Sequence, residues 1–311
     1  MIAGRDHGGG LDAAMAQFGG GQAGWLDLST GINPVPYPLP SLPPDLWTRL
    51  PDHAAIADLE AAARDFWQVP PGAAVVAAPG ASAVIARIPG LLRAGTVSIP
   101  APTYNEHAAA FAAAGWGRSD QSPDAQVLVH PNNPDGRLWQ ASDLTAPIVV
   151  IDESFCDIMP DRSLMTLATR PGTIILKSFG KFWGLAGLRL GFAIGDPDLV
   201  GKLAGALGPW PVSGPALAIG TAALTDLDWA TRTRARLTDD AARLDRMLLR
   251  RGAVVVGGTS LFRLYQVQNA ADWQARLARR QVWSRVFPYS TTWLRLGLPH
   301  PDRWDQLDAA L

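Results

Sequence analysis

One lysine in a glycine-rich turn concentrates the chemistry of this sequence. Residues 177–191 read Lys177-Ser178-Phe179-Gly180-Lys181-Phe182-Trp183-Gly184-Leu185-Ala186-Gly187-Leu188-Arg189-Leu190-Gly191. Lys181 follows an apolar, strand-like run, has Gly180 directly before it and Gly184 and Gly187 shortly after, and precedes an arginine eight positions on. A lysine amine that attacks an aldehyde must shed its proton, and partial desolvation favours the neutral amine. Glycines let the backbone approach a flat ligand closely. Ser178 by a hydrogen bond, and Arg189 by a bidentate charge-assisted pair, have the chemistry to hold a phosphate. These groups suit capture of a flat, phosphorylated aldehyde, which is the description of pyridoxal phosphate. A glycine-rich loop with a surface lysine is the plainer alternative. A nucleotide P-loop fails on spacing: Gly180-Lys181 is followed by Phe182 rather than Ser or Thr, and no glycine lies five residues before Gly180.

Four upstream elements bear on the same chemistry. Asp152 ends the apolar run Val149-Val150-Ile151, where a carboxylate can pair with a protonated pyridine nitrogen and strengthen the ring as an electron sink. An Asp152-Glu153 pair could equally hold Mg²⁺ in an ATPase, but that alternative weakens without a P-loop. Pro131-Asn132-Asn133-Pro134-Asp135-Gly136 is a turn by composition, from which the Asn133 amide can donate to a ring oxygen. Gly80-Ala81-Ser82 stands between a strand and a helix, and free N–H groups at a helix start seat phosphates. No Gly-x-Gly-x-x-Gly follows the first strand to support a dinucleotide site. Tyr104 can stack on a planar ring or be a plain core or rim aromatic.

These groups need elements to hold them. Ile56 to Trp67 reads as a helix, and Ala74 to Ala78 as a strand followed by an apolar helix reaching Arg93. Thr96 to Ile99 is strand-like, and Asn105 to Ala114 an alanine-rich helix. Gln126 to His130, Ile148 to Ile151 and Thr173 to Leu176 are short apolar runs that suit a sheet covered on both faces. Strands alternating with helices imply an α/β fold with a mostly parallel central sheet flanked by helices. After Gly195 the chain turns helical, with a long amphipathic segment from Trp229 to Arg251. Strand-like runs around a helix near Asp272 to Gln281 then predict a smaller α+β domain. The expected division is an N-terminal arm over residues 1–35 joining the small domain, a large domain over 36–230 and a small domain over 231–311. Six prolines between residues 34 and 44 predict an extended connector.

Composition sets outer limits. With 311 residues, 48% of them hydrophobic, the chain can bury a large core, and a formal net charge of −1 with 18% charged residues argues against a nucleic-acid binder. The single cysteine, Cys156, excludes a disulfide within the chain and fits a reducing cytoplasm. A lone cysteine beside Phe155 points to buried packing rather than a nucleophile. The N-terminus lacks the order of a signal peptide. No apolar run reaches the ~18 residues that span a bilayer. A cytoplasmic protein without membrane, nucleic-acid or metal partners is expected.

In the order Gly80-Ala81-Ser82, Tyr104, Asn133-Pro134, Asp152, Ser178, Lys181, Arg189, the chain resembles the fold-type-I pyridoxal-phosphate enzymes of the aspartate aminotransferase superfamily, from about His7 to Pro301. Two branches stand nearest, the histidinol-phosphate aminotransferases and the threonine-phosphate decarboxylases of cobalamin biosynthesis. His7-Gly8-Gly9, Leu26-Asp27-Leu28-Ser29-Thr30-Gly31-Ile32-Asn33-Pro34 and Phe155 are similar to the decarboxylase pattern. The resemblance implies a homodimer acting on a small phosphorylated amino acid. It makes Lys181 the Schiff-base lysine, Asp152 the partner of the ring nitrogen and Asn133 that of the ring hydroxyl. Tyr104 stacks on the ring, while Gly80, Ala81, Ser82, Ser178 and Arg189 surround the phosphate. Arg295 takes the substrate carboxylate, Arg285 and His7 the substrate phosphate, and Asn33 lines the pocket. An aminotransferase, or a non-catalytic partner that kept the fold, are the alternatives. One departure stands out: relatives carry tyrosine where this chain has Leu50, before Pro51-Asp52, and leucine cannot donate the hydrogen bond that tyrosine gives to the neighbouring subunit's cofactor phosphate.

Overall fold

The computed structural model of the chain describes residues 6–311. Seven short runs form one sheet, in the spatial order Ala74–Ala78, Gly191–Gly195, Thr173–Ser178, Ile148–Asp152, Ala125–Val129, Thr96–Ser98 and Gly117–Arg118. From Thr173–Ser178 outward to Gly117–Arg118 the strands run parallel, whereas Gly191–Gly195 is antiparallel to both strands beside it. A parallel sheet is covered on both faces, so its inner strands show no polar alternation. Ala125–Val129 and Gly191–Gly195 are buried throughout. The one polar residue in them, Gln126, satisfies its amide on the backbone of Asp143 and Thr145.

Three helices cover this sheet through a single apolar layer. Val84 and Ile85 of Ala81–Arg87, Phe111 of Asn105–Ala113, and Leu199 and Leu203 of Pro197–Leu207 pack with Val97, Val127, Val150, Ile174 and Leu176. Each such side chain contributes roughly 1.5–3 kcal/mol on burial, so the strand ends that carry polar groups are held by a rigid interior. The helix Pro197–Leu207 starts where Asp196 accepts from the N–H groups of Asp198 and Leu199, with Pro197 in the first turn.

The chain divides into two compact units. One comprises Pro36–Asn133 and Arg137–Arg232, which hold the seven-stranded sheet; the other comprises the chain up to Val35, Pro134–Gly136 and Thr233–Leu311. The second unit has an antiparallel sheet ordered Arg285–Phe287, Ser290–Gly297, Phe262–Gln266, Val254–Thr259. Its N-terminal segment is fixed to it by parallel pairing of Leu26–Asp27 with Val282–Trp283. The α/β architecture with a smaller α+β unit is the one that the alternating pattern implies.

Details depart from expectation. The helix expected to reach Arg93 stops at Arg87 and tightens into a 3-10 turn, Ile88–Leu91, where Pro89 has no N–H to continue the ladder. The first long helix starts at His53, one turn before the expected Ile56. Strand Gly191–Gly195 has no counterpart in the sequence reading. Among the described residues no helix is long and apolar enough to cross a membrane.

Candidate active site

The carboxyl ends of parallel strands are where an open α/β sheet leaves a crevice. Here Asp152 is the last residue of one strand and Ser178 the last of the next. Ala81, Ser82, Tyr104, Asn133, Asp152, Ser178, Lys181 and Arg189 border one cavity, with Phe155 beside them. The large unit thus brings eight of the expected cofactor residues to one place. Gly80, the ninth, stands against Arg189: a Cβ built on it would lie 2.6 Å from Arg189 Nη2. With φ at +86° it also occupies the left-handed half of backbone space that glycine tolerates. The Arg189 guanidinium can therefore lie against the backbone there only because residue 80 has no side chain.

Asp152 is buried, yet its carboxyl lies below its ordinary range. Burial pushes it up, but hydrogen bonds and charge from His107, and then the Ser154 donors, outweigh that push. His107 Nε2 stands 2.8 Å from Oδ2, and Ser154 gives Oδ1 its N–H at 3.0 Å and its hydroxyl at 2.5 Å. The result is an anion fixed at the cavity wall. His107 and Ser154 were not singled out from the sequence. His107 is a buried histidine in an otherwise alanine-rich helix, three residues after Tyr104, and that anomaly was the available signal.

The chain contains three lysines. Lys202 is exposed on Pro197–Leu207. Lys177 is buried and held 2.6 Å from Glu153 and 3.4 Å from Asp157. Burial pushes its ammonium down, but those two carboxylates raise it further, so it stays charged. Lys181 borders the cavity, half-buried, with Nζ 5.2 Å from the centre of the Phe155 ring. The Asp157 carboxylate also accepts from the indoles of Trp67 and Trp183, and Glu153 from Ser163 and the Leu164 N–H. Cys156 packs inside this cluster, its thiol pushed well up by burial and then by Glu153. His130, Glu153 and Cys156 lie within metal-ligating distance of one another. Both His130 ring nitrogens are already spent on the Arg162 carbonyl and the Trp139 N–H, and Glu153 on Lys177.

Loop contacts hold the remaining cavity residues. Asn132, beside Asn133, accepts from the Thr103 hydroxyl at 2.6 Å and donates to the Pro102 carbonyl at 3.0 Å. This ties the Asn133 turn to the segment that carries Tyr104. Ser178 Oγ accepts from the Gly180 N–H at 3.2 Å, and Arg189 Nη1 donates to the Ala186 carbonyl at 2.9 Å.

The smaller unit carries the four residues expected at the substrate. Arg285 and Arg295 are register partners on adjacent antiparallel strands. Arg295 is buried and donates to the Ser29 carbonyl at 2.7 Å. Burial first, and then Arg285, lower its guanidinium to about 10, so it keeps its charge at neutral pH. Arg285 pairs with both oxygens of Asp6 and donates to the His7 carbonyl. Asn33 Oδ1 is fixed by the Val35 N–H at 3.1 Å and by Arg236 Nη2 at 2.6 Å. Asp6 and Arg236 were missed because their partners lie more than 200 positions away in the chain. Leu50, in the large unit, is exposed.

Residues 118–307 match the model of the family described as aminotransferase class I and II. A threonine-phosphate decarboxylase of Pseudomonas aeruginosa is 40% identical, across 98% of this chain and 97% of its own. A histidinol-phosphate aminotransferase of Ralstonia nicotianae is 30% identical, across 97% and 78%. Among solved structures, the histidinol-phosphate aminotransferase of Sinorhizobium meliloti, in complex with pyridoxal-5'-phosphate, superposes with a TM-score of 0.80 at 18% identity, covering 97% of this chain and 93% of that one.

Proposed function

The chain belongs to the aminotransferase class I and II family, and on that premise we propose that it is a pyridoxal-phosphate-dependent decarboxylase that converts L-threonine O-3-phosphate to (R)-1-aminopropan-2-ol phosphate for cobalamin biosynthesis. The observation that carries the chemistry is the meeting of Lys181, a buried ionised Asp152 and Arg189 at one cavity. The choice of decarboxylation over transamination follows the relatives, 40% identity against 30% across nearly the whole chain.

The residues present fit the cofactor. Arg189 would pair with the phosphate at the cavity wall, with Ser178 and the Ala81-Ser82 turn as further donors. Pyridoxal phosphate, when bound, supplies an electron sink conjugated to the substrate's Cα. Asp152 would hold a proton on the ring nitrogen, and its bonds to His107 and Ser154 keep it ionised for that purpose. Asn133 would donate to the ring oxygen, and Tyr104 would cover a ring face. Lys181 Nζ would attach the cofactor and, once released by the substrate amine, deliver a proton to Cα. Arg295 is assigned to the substrate carboxylate and Arg285, with His7 and Asn33 near the substrate, to its phosphate. Fixing both anions orients the Cα bonds, and this orientation selects which bond breaks. In decarboxylation the Cα–carboxylate bond breaks, CO₂ leaves and a proton takes its place.

The holoprotein given L-threonine O-3-phosphate is expected to release CO₂ and one equivalent of the amino-alcohol phosphate. Conversion of the bound cofactor to its amino form by histidinol phosphate, without CO₂ release from threonine phosphate, would instead assign an aminotransferase. A homodimer in the cytoplasm is part of the proposal. The exposed Trp47 and Leu50 beside a surface groove support a subunit contact there. Sedimentation of the holoprotein should give twice the 33.1 kDa chain mass, and a monomer at micromolar concentration would contradict it.

A further inference from the structure

Arg285 is engaged by an anion from its own chain. Its Nη1 and Nη2 each meet one oxygen of Asp6 at 2.6 Å, and Nη1 also donates to the His7 carbonyl at 2.5 Å. Two-point pairing of this kind is how arginine grips an external carboxylate or phosphate. Arg295, its strand partner, adds a second positive charge. The arm that delivers Asp6 is anchored: Ser29 Oγ accepts from the Gly9 N–H at 2.6 Å, and Trp283 Nε1 donates to the Gly9 carbonyl at 2.9 Å. A Cβ on Gly8 would run into the Ser29 carbonyl oxygen, so the close seating of the arm requires glycine there. Asp6 itself is exposed, with 42% of its side chain open to solvent, so packing does not lock it in place.

We propose that Asp6 is a tethered counter-anion that occupies Arg285 between turnovers and is displaced by the phosphate of the ligand. The proposal rests on the reading of Arg285 as the substrate-phosphate arginine. A phosphate monoester brings about −1.5 to −2 charge and three acceptor oxygens to a fork that one carboxylate and the His7 carbonyl now share. When phosphate enters, the Asp6 carboxylate returns to water a short distance away. Only the fraction of molecules with Asp6 displaced can bind, so the apparent affinity falls by that fraction. The same factor applies to every ligand that uses Arg285. Substrate and product both keep the phosphate, so Asp6 weakens product retention as much as substrate capture. In a decarboxylase, where the released product retains the stronger of the two anions, that relief favours turnover.

The test compares wild type, Asp6→Asn and Asp6→Glu holoproteins, whose cofactor-phosphate seat is filled. Binding of inorganic phosphate is measured by calorimetry at constant ionic strength. KM for threonine phosphate and the inhibition constant of aminopropanol phosphate are measured alongside. Asp6→Asn is expected to lower all three by one common factor, about threefold to fivefold for a partly exposed ion pair. The affinity for unphosphorylated L-threonine should not move, and Asp6→Glu should keep wild-type values. Unchanged or raised values in Asp6→Asn, or unequal factors, overturn the proposal. If the phosphate titration shows the Asp6 dependence but no CO₂ forms, the decarboxylase reading fails and this inference stands. Phosphate that binds none of the three proteins overturns both the anion-site assignment and the role of Asp6.

Discussion

Lys181→Ala is expected to leave a folded protein without covalently held cofactor and with turnover of threonine phosphate reduced by at least about 10²–10⁴-fold, the span for losing a positioned proton-transfer group. Lys181 borders the cavity and is half-buried, so shortening it enlarges a space that already exists instead of opening a hole in the packed core. Lys177→Ala should behave in the opposite way. It would leave Glu153 and Asp157 as uncompensated buried charges, and breaking such a pair costs roughly 3–5 kcal/mol. The two lysines are four residues apart, so the pair of variants separates chemistry from folding. Thermal unfolding and borohydride-stable cofactor labelling of both proteins distinguish the cases. A Lys181→Ala protein with wild-type turnover would remove the lysine from the mechanism.

Asp152→Asn carries the second largest expected effect. An amide cannot hold a proton on the ring nitrogen, and losing one preorganised charge partner costs about 10²–10³ in kcat. The substitution also has a signature in stability against pH. The folded-state value of Asp152 is depressed, so its ionised form contributes stability that is fully present above the unfolded value of about 3.9 and lost as pH falls through the lower folded value. Asparagine has no such dependence. The stability difference between wild type and variant, read from denaturant titrations, should therefore shrink as pH falls below about 4. A difference that stays constant to lower pH would mean that the His107 and Ser154 contacts do not act on an ionised carboxyl.

Sequence and structure agree best where chemistry sits at strand ends. Asp152, Ser178 and Lys181 were legible because each closes or follows an apolar run, and parallel register carries such positions to one edge of the sheet. Groups whose meaning depends on a distant approach were not legible. His107 meets Asp152 across 45 residues and Arg236 meets Asn33 across 203, and no local pattern encodes either contact. Strand Gly191–Gly195 was hidden because glycine at both ends and its short length weaken any strand signal. The early end of the helix at Arg87 was written in Pro89-Gly90, but an apolar pattern on either side obscured it. Asp6 carries no motif at all; only its fork-to-fork contact with Arg285, 279 positions on, gives it a role.

The most direct measurement is peptide mapping of the purified holoprotein after borohydride reduction. With three lysines in the chain, the possible outcomes are few. A pyridoxyl group on the peptide bearing Lys181, at close to one per chain and absent from Lys177 and Lys202, is the predicted result. A label on either of those lysines, or a cofactor-loaded protein with no label on Lys181, would contradict the account.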